Sequence, residues 1–325
     1  MKTIPDIRQE VELLSMLGSS TKPLIVIVGH TASGKTGFSI DLALKLKKLC
    51  AEQTLPWKDV EITNADSRQF YKGFDIGTAK ITGEEKRGVV HHLLDVLDGK
   101  EPVTISWFKK EAEKCIAECH TRNVIPILVG GSMLYISSII DGLEPVDAVD
   151  HEKRKALSDA YDVDHGLSLW KKLSELDPDG AAGIERRNKM YVIRAMEIVE
   201  STGKPLAQVK TQNPCPYDLF LYGLSFEPEE RAKRINERTR QLLESGWVEE
   251  VQKLMAAGYD PMDPAMISHG YREISSKLKT QSSELNINKD EIRVLAEEIS
   301  AKTRQYAKRQ VTWWKNDARI HWLAQ

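Results

Sequence analysis

Residues 29–36 read Gly-His-Thr-Ala-Ser-Gly-Lys-Thr, the pattern G-x-x-x-x-G-K-T, directly after the apolar run Leu24-Ile25-Val26-Ile27-Val28. Five apolar residues without alternation predict a strand buried on both faces. The stretch Gly37 to Lys48 carries Phe38, Ile40, Leu42, Leu44 and Leu46 and predicts a helix. Strand, glycine loop and helix in this order make a phosphate cradle, because the backbone N–H groups converge on one point and bind an anion there. Lys35 adds a full charge, and Thr36 places a hydroxyl where a phosphate-bound Mg²⁺ would sit. The motif specifies a phosphate or diphosphate ligand and leaves the reaction open.

The rest of the chain builds a sheet around that loop. Val60 to Thr63 reads as a strand ending at Asn64-Ala65-Asp66-Ser67, and a helix is expected from Ser106 to Thr121 with Phe108, Ala112, Cys115, Ile116 and Cys119 on one side. Val124 to Val129 is a third strand, stopped by Gly130-Gly131-Ser132, and a helix starts at Met133. Alternating strands and helices imply an α/β fold, a parallel sheet with helices on both faces. Ligands in such sheets gather beyond the carboxyl ends of the strands, so Gly29–Thr36, Asp66 and Ser132 should meet at one crevice. The charged stretch 144–202 reads as an inserted all-helical subdomain, broken once at Asp177-Pro178-Asp179-Gly180 and ended at Ser201 to Pro205. Residues 1–22 then form an N-terminal extension, 23–143 the first part of the core and 203–325 its second part. That second part offers one more strand, Leu219 to Leu224, and helices over Pro228–Leu243, Val248–Ala257 and Asp290 to about Gln310. Asn288 and Glu291 resemble a capping pair for the last helix, with Ile292, Leu295, Ile299 and Tyr306 as its buried stripe.

Composition excludes several classes. A chain of 325 residues with 41% hydrophobic content and a net charge of −2 is ordinary globular material with no global attraction to nucleic acid. No apolar run is long enough to cross a bilayer, and the first residues lack the basic start and apolar centre of a secretion signal. Cys50, Cys115, Cys119 and Cys215 read as reduced thiols, which suits a cytoplasmic protein. Cys115, Cys119 and His120 lie on one predicted helix without a second ligand pair and read as packing and surface residues. Local basic clusters, Arg186 to Arg194 and Lys302 to Arg319, are either phosphate-binding surfaces or solvated helix faces.

The crevice residues keep alternatives open. Asp66 could hold Mg²⁺ through water, act as a general base, or simply shape a turn. Ser132 could donate a hydrogen bond to a phosphate or cap the helix that follows. Arg194 and Arg231 could clamp diphosphate oxygens or lie on the surface. Phe70 and Tyr71 could stack on a base or belong to the core. No Asn-Lys-x-Asp segment follows the loop to read guanine.

Seven ordered segments carry a specific resemblance. They are Gly29–Thr36, Asn64-Ala65-Asp66-Ser67-Arg68-Gln69-Phe70-Tyr71-Lys72-Gly73-Phe74-Asp75-Ile76-Gly77-Thr78-Ala79-Lys80, His91–Asp98, Val129–Tyr135, Arg194–Glu197, Gly270-Tyr271-Arg272-Glu273 and Thr303–Trp314. Together they resemble the tRNA dimethylallyltransferases, also called tRNA isopentenyltransferases, and the bacterial form in particular, since no cysteine-histidine finger follows the core. The resemblance implies a P-loop NTPase-like core. It implies transfer of a dimethylallyl group from dimethylallyl diphosphate to N6 of adenosine 37, in tRNAs that read codons beginning with U. Asp66 would take the N6 proton, assisted by Ser132 and Lys35. Gly29 and the residues Thr31, Ala32, Ser33, Gly34, Lys35 and Thr36 would hold the diphosphate, with Mg²⁺ on Thr36 and with Arg194 and Arg231 serving phosphates. The flipped adenosine would touch Asp66, Ser67, Arg68 and Gln69. Further tRNA contacts would fall on Arg154, Met190–Arg194, Ile267–Arg272 (Gly270, Tyr271 and Arg272 among them) and Lys308–Lys315, including Arg309, Gln310 and Trp313. A monomer is expected.

The chain departs from the family's pattern at three positions. His30 stands where Pro is usual, Ser132 where Thr is usual, and His269 where an apolar residue is common. Residues 185–191 match poorly. A free-nucleotide prenyl transferase, a small-molecule kinase and a non-catalytic RNA-binding protein are the competing readings. The helical insertion and the C-terminal basic-aromatic segment favour tRNA, because a mononucleotide would use neither.

Overall fold

A computed structural model describes residues 7–52, 54–143, 151–209, 213–280 and 289–323. The chain forms helices α1 (Ile7–Ser19), α2 (Lys35–Ala51), α3 (Ile105–Thr121), α4 (Met133–Ile140), α5 (His151–Asp164), α6 (Leu167–Leu176), α7 (Pro178–Ala182), α8 (Lys189–Thr202) and α9 (Leu206–Val209). Helices α10 (Pro228–Glu244), α11 (Trp247–Ala256), α12 (Tyr271–Thr280) and α13 (Lys289–Trp314) follow. The strands are β1 (Pro23–Gly29), β2 (Asp59–Asn64), β3 (His91–His92), β4 (Val124–Val129), β5 (Asp218–Leu224) and β6 (Ile320–Leu323), paired in the order β3-β2-β4-β1-β5-β6. Every pairing is parallel.

Burial explains the composition of the strands. All seven residues of β1 are buried, as a strand between β4 and β5 and covered on both faces requires. Phe38, Ile40, Leu42, Ala43, Leu46 and Cys50 of α2 close the core over Ile25, Ile27, Val60 and Ile62. Leu44, expected in that stripe, is only half-buried. The two-residue β3 and the edge strand β6 carry too little periodic signal to read from sequence, whereas α12, also not anticipated, repeats the buried Tyr271, Ile274 and Leu278 at helical spacing. Strand β6 closes the edge by pairing with β5, with His321 stacked on Phe220 at 4.6 Å.

The fold divides into two compact units. The first takes in Met1–Val103, Lys110–Ile136 and Pro216–Gln325, and the second takes in Thr104–Lys109 and Ser137–Cys215. The second unit is helical, with Leu157, Tyr161, Leu169, Leu173, Val192, Met196 and Val199 in its core. Asp177 caps α7 through the Gly180 N–H at 3.0 Å and also accepts the Leu206 N–H at 2.7 Å. Sequence expected one break in this region. Two more occur, one between α5 and α6, where His165 and Gly166 both take left-handed backbone, and one between α7 and α8. The expected cap residue Asn288 lies outside the described residues.

Glu61 shows how a charge is tolerated in a central strand. Arg122 grips both its oxygens at 2.7 and 2.6 Å and His92 meets it at 2.6 Å, which holds the carboxyl down at about 2. Glu61, His92 and Cys119 bring ligand atoms within 4.8 Å of one another. With Arg122 occupying the carboxylate, the group is an ion-pair network rather than a metal site. His120 points elsewhere, to the Pro23 carbonyl at 2.9 Å.

Candidate active site

The three loops that follow β1, β2 and β4 line a cavity of about 1320 Å³ within the sheet-containing unit. Its walls include Thr31–Thr36, Asp66–Gln69, Gly130 and, from α10, Lys233, Arg234 and Arg238. The phosphate loop is strained in the way an anion cradle needs. Ala32 and Gly34 take positive φ, and Gly34 precedes α2 without any side-chain cap, so the first N–H groups of the helix stay available. Lys35 folds back on the loop and donates to the Gly29 and His30 carbonyls at 3.0 and 2.8 Å. Burial lowers its ammonium to about 8; the Asp66 charge works against that and the Arg238 charge adds to it.

His30 is fully buried and stitches the loop to the segment after β5. Phe226 N–H donates to its Nε2 at 3.1 Å, so the ring proton sits on Nδ1 and faces the Thr31 carbonyl at 2.6 Å. The neutral ring is enforced chiefly by burial, which brings its value down to about 4, with the Thr31 bond opposing and Lys35, Arg231 and Arg234 assisting. A histidine at 6.5 in the unfolded chain takes up its proton first there, so folding free energy falls as pH drops from about 6.5 towards 4. We expect this group to remove about 2 kcal/mol between pH 7 and pH 5. Urea unfolding of His30→Asn at both pH values should show a loss smaller by that amount, and parallel losses in the two proteins would refute it.

Asp66 sits past β2 in a turn built by its neighbours. Asn64 accepts the Asp66 N–H at 3.0 Å and donates to the Leu93 carbonyl at 3.0 Å. Asp66 Oδ1 accepts the Arg68 N–H at 3.0 Å, which fixes the carboxylate and leaves Oδ2 for the cavity. Ser132 Oγ accepts the Ser67 N–H at 3.0 Å, so its hydroxyl ties the β4 loop to the Asp66 turn. Tyr306 of α13 donates to the Gly131 carbonyl at 3.2 Å, and burial pushes its phenol up to about 12.

The far wall, residues 74–80, is held by Glu250. Its carboxylate accepts the N–H groups of Asp75, Ile76 and Gly77 at 2.8, 2.7 and 3.2 Å and the Tyr271 hydroxyl. Gly77 and Gly270 clasp the Trp247 ring between them: a Cβ on either would lie 1.9 Å from it. Gln69 adds two bonds, to the Thr78 and Ala79 carbonyls at 3.2 and 3.3 Å.

A family model described as IPP transferase matches residues 69–317. The chain belongs to the IPP transferase family. It is 38% identical over 309 residues to a protein of Geobacter sulfurreducens named tRNA dimethylallyltransferase, covering 94% of this chain and 93% of that one. A protein of the same name from Acetivibrio thermocellus is 38% identical, with coverage of 92% and 91%. Among solved structures, the tRNA isopentenylpyrophosphate transferase of Bacillus halodurans superposes with a TM-score of 0.64 at 35% identity, covering 93% of this chain and 89% of that one. A eukaryotic dimethylallyltransferase described as acting on tRNA gives a TM-score of 0.72 at 26% identity, covering 94% and 74%. The sheet is accordingly a P-loop-like α/β core.

The structure sorts the residues singled out from sequence. Thr31–Thr36, Asp66, Ser67, Arg68 and Gln69 line the cavity together, whereas Ser132 acts one step behind it through Ser67. Arg231 is not among the lining residues; the α10 cation that faces Lys35 and Asp66 is Arg238, two turns further along the helix. Arg154 and Arg194 belong to the helical unit, where both engage the buried Glu197, Arg154 in a fork at 2.6 and 2.8 Å and Arg194 at 3.2 Å. Gly270 and Tyr271, expected to meet RNA, are buried, because one backs onto Trp247 and the other anchors on Glu250. Arg272, Lys308, Arg309 and Trp313 are exposed, and Gln310 is fully buried. Phe70 and Tyr71 are core residues, Phe70 lying parallel to Tyr135 at 6.2 Å. Arg238 escaped the sequence reading. Its signal was the Arg234/Arg238 spacing, which places two cations on one face of α10.

Proposed function

We propose that the chain transfers a dimethylallyl group from dimethylallyl diphosphate to N6 of adenosine 37 in tRNAs that read codons beginning with U. The observation that supports this reading best is a carboxylate, Asp66, lining the same cavity as an uncapped anion loop. The loop N–H groups, Lys35 and Arg238 bind the diphosphate and neutralise the charge that builds up as it leaves. Asp66, oriented by Arg68 N–H, takes the proton of the attacking amine, whose lone pair is otherwise held by the ring. The Thr36 hydroxyl lines the cavity at the start of α2 and is the oxygen donor that would hold Mg²⁺. When bound, that ion adds positive charge against the diphosphate. The adenosine reaches the cavity by leaving its stack, which costs a few kcal/mol. The exposed Lys308, Arg309 and Trp313 of α13 offer stacking and phosphate contacts that offset it.

Among the described residues no helix is long and apolar enough to cross a membrane. We read the protein as a cytoplasmic monomer. The test is incubation with labelled dimethylallyl diphosphate and unmodified tRNA carrying three successive adenosines centred on position 37. Label should appear on N6 of that nucleoside. Label on AMP alone would move the assignment to a free-nucleotide prenyl transferase, and phosphate transfer from ATP to a kinase.

A further inference from the structure

We propose that Gln310 is a positioning residue for the donor side of this reaction, clamping the diphosphate loop to the turn beside Asp66, and not an RNA contact. The inference rests on the transfer reaction proposed above. Gln310 lies in the basic-aromatic end of α13, between exposed Arg309 and exposed Trp313, yet none of its surface is accessible. Its Oε1 accepts the Thr31 N–H at 2.9 Å, and its Nε2 donates to the Gly131 carbonyl at 2.7 Å. Both ends of a buried amide are thus satisfied, one on each of two loops. Those loops leave neighbouring parallel strands whose ladder ends at Ile27 and Val129, with one further bond from Gly130 N–H to the Ile27 carbonyl. Beyond that point Gln310 bridges them. Gly131 is cut to fit: a Cβ there would lie 2.6 Å from Gln310 Nε2, with its next neighbours 3.9 Å away. Tyr306, one turn earlier, donates to the same Gly131 carbonyl and so fixes α13 against the turn.

The distance between the two loops sets where the allylic carbon meets the amine, because Thr31 begins the cradle and Gly131 abuts the Asp66 turn. A helix that presents cations outward and one amide inward serves both substrates with different faces. The Gln310 face serves the diphosphate.

Two variants test this. Gln310→Met keeps the length and removes both hydrogen bonds. Gly131→Ala leaves Gln310 in place and pushes its amide aside, with a φ that alanine adopts freely. Pyrophosphate binding by calorimetry should weaken about five- to thirtyfold in each variant, the loss expected of one or two hydrogen bonds. Turnover should fall about 100-fold, since a displacement near 1 Å of the reacting groups has that effect. Affinity for an unmodified anticodon stem-loop, by fluorescence anisotropy, should stay within about twofold of the unsubstituted protein, because the exposed α13 residues are untouched. Weakened stem-loop binding with pyrophosphate affinity retained would make Gln310 an RNA contact and overturn the proposal, as would unchanged pyrophosphate affinity in either variant. Should Gln310→Met fail to fold, Gly131→Ala decides. If the unsubstituted protein transfers no dimethylallyl group, the reaction assigned above falls, while the pyrophosphate measurement still judges the clamp.

Discussion

Replacing Asp66 by Asn should lower turnover by about 10²–10⁴ while pyrophosphate binds as tightly as before or more so. The amide keeps the oxygen that accepts the Arg68 N–H, so the turn survives and only the proton acceptor is lost. Binding should not suffer, because the Asp66 charge partly offsets Lys35 and Arg238 and its removal leaves both cations for the anion. Single-turnover rates with saturating donor, set beside calorimetric pyrophosphate titrations, separate the two effects. Turnover within a few-fold of the unsubstituted protein would end the base assignment, and loss of pyrophosphate binding would mean that Asp66 shapes the loop.

Lys35→Ala should cost about 2–4 kcal/mol of donor affinity, or roughly 30- to 1,000-fold, the range for removing one partner of a desolvated charge contact. The ammonium is already poised by its surroundings. Burial brings it to about 8, so a fraction is neutral at pH 8 before any ligand arrives. A diphosphate restores the charged form and raises that value, and binding near pH 8 therefore draws in a proton. Calorimetry in two buffers of different ionisation enthalpy should find about half a proton taken up at pH 8 and close to none at pH 6.5. Affinity should decline as pH rises past 8. In Lys35→Ala the uptake should vanish, and an uptake that persists in the variant would assign the proton to another group.

How much of this was legible in the chain follows from range. β1, the glycine loop and α2 are contiguous, and a continuous apolar run followed by G-x-x-x-x-G-K-T admits few other local structures. The meeting of Asp66 with that loop was legible too, because parallel strands put their carboxyl ends on one side, while Ser132, expected beside them, stands one step behind the cavity on the Ser67 N–H. Arg231 and Arg238 were not separable by spacing alone. Both lie on α10, and only the packing of that helix turns Arg238 towards Lys35. Tyr271 and Gln310 were expected to meet RNA from the family resemblance; the structure buries both and gives each a partner far off in sequence, Glu250 for one, Thr31 and Gly131 for the other. The two-residue β3 exists because its neighbour β2 presents a free edge, for which His91 and His92 carry no propensity.

The amino-acid order by itself determined an anion cradle, a parallel sheet and the carboxylate beside them, since these depend on local backbone geometry and the handed, one-sided habit of βα units. Tertiary structure alone decided which cation joins that cradle and which amide locks it, and why His30 stays neutral there. Those outcomes turn on burial and on hydrogen bonds spanning, in the case of Thr31 and Gln310, 279 positions, and no short window of sequence contains both ends of such a bond.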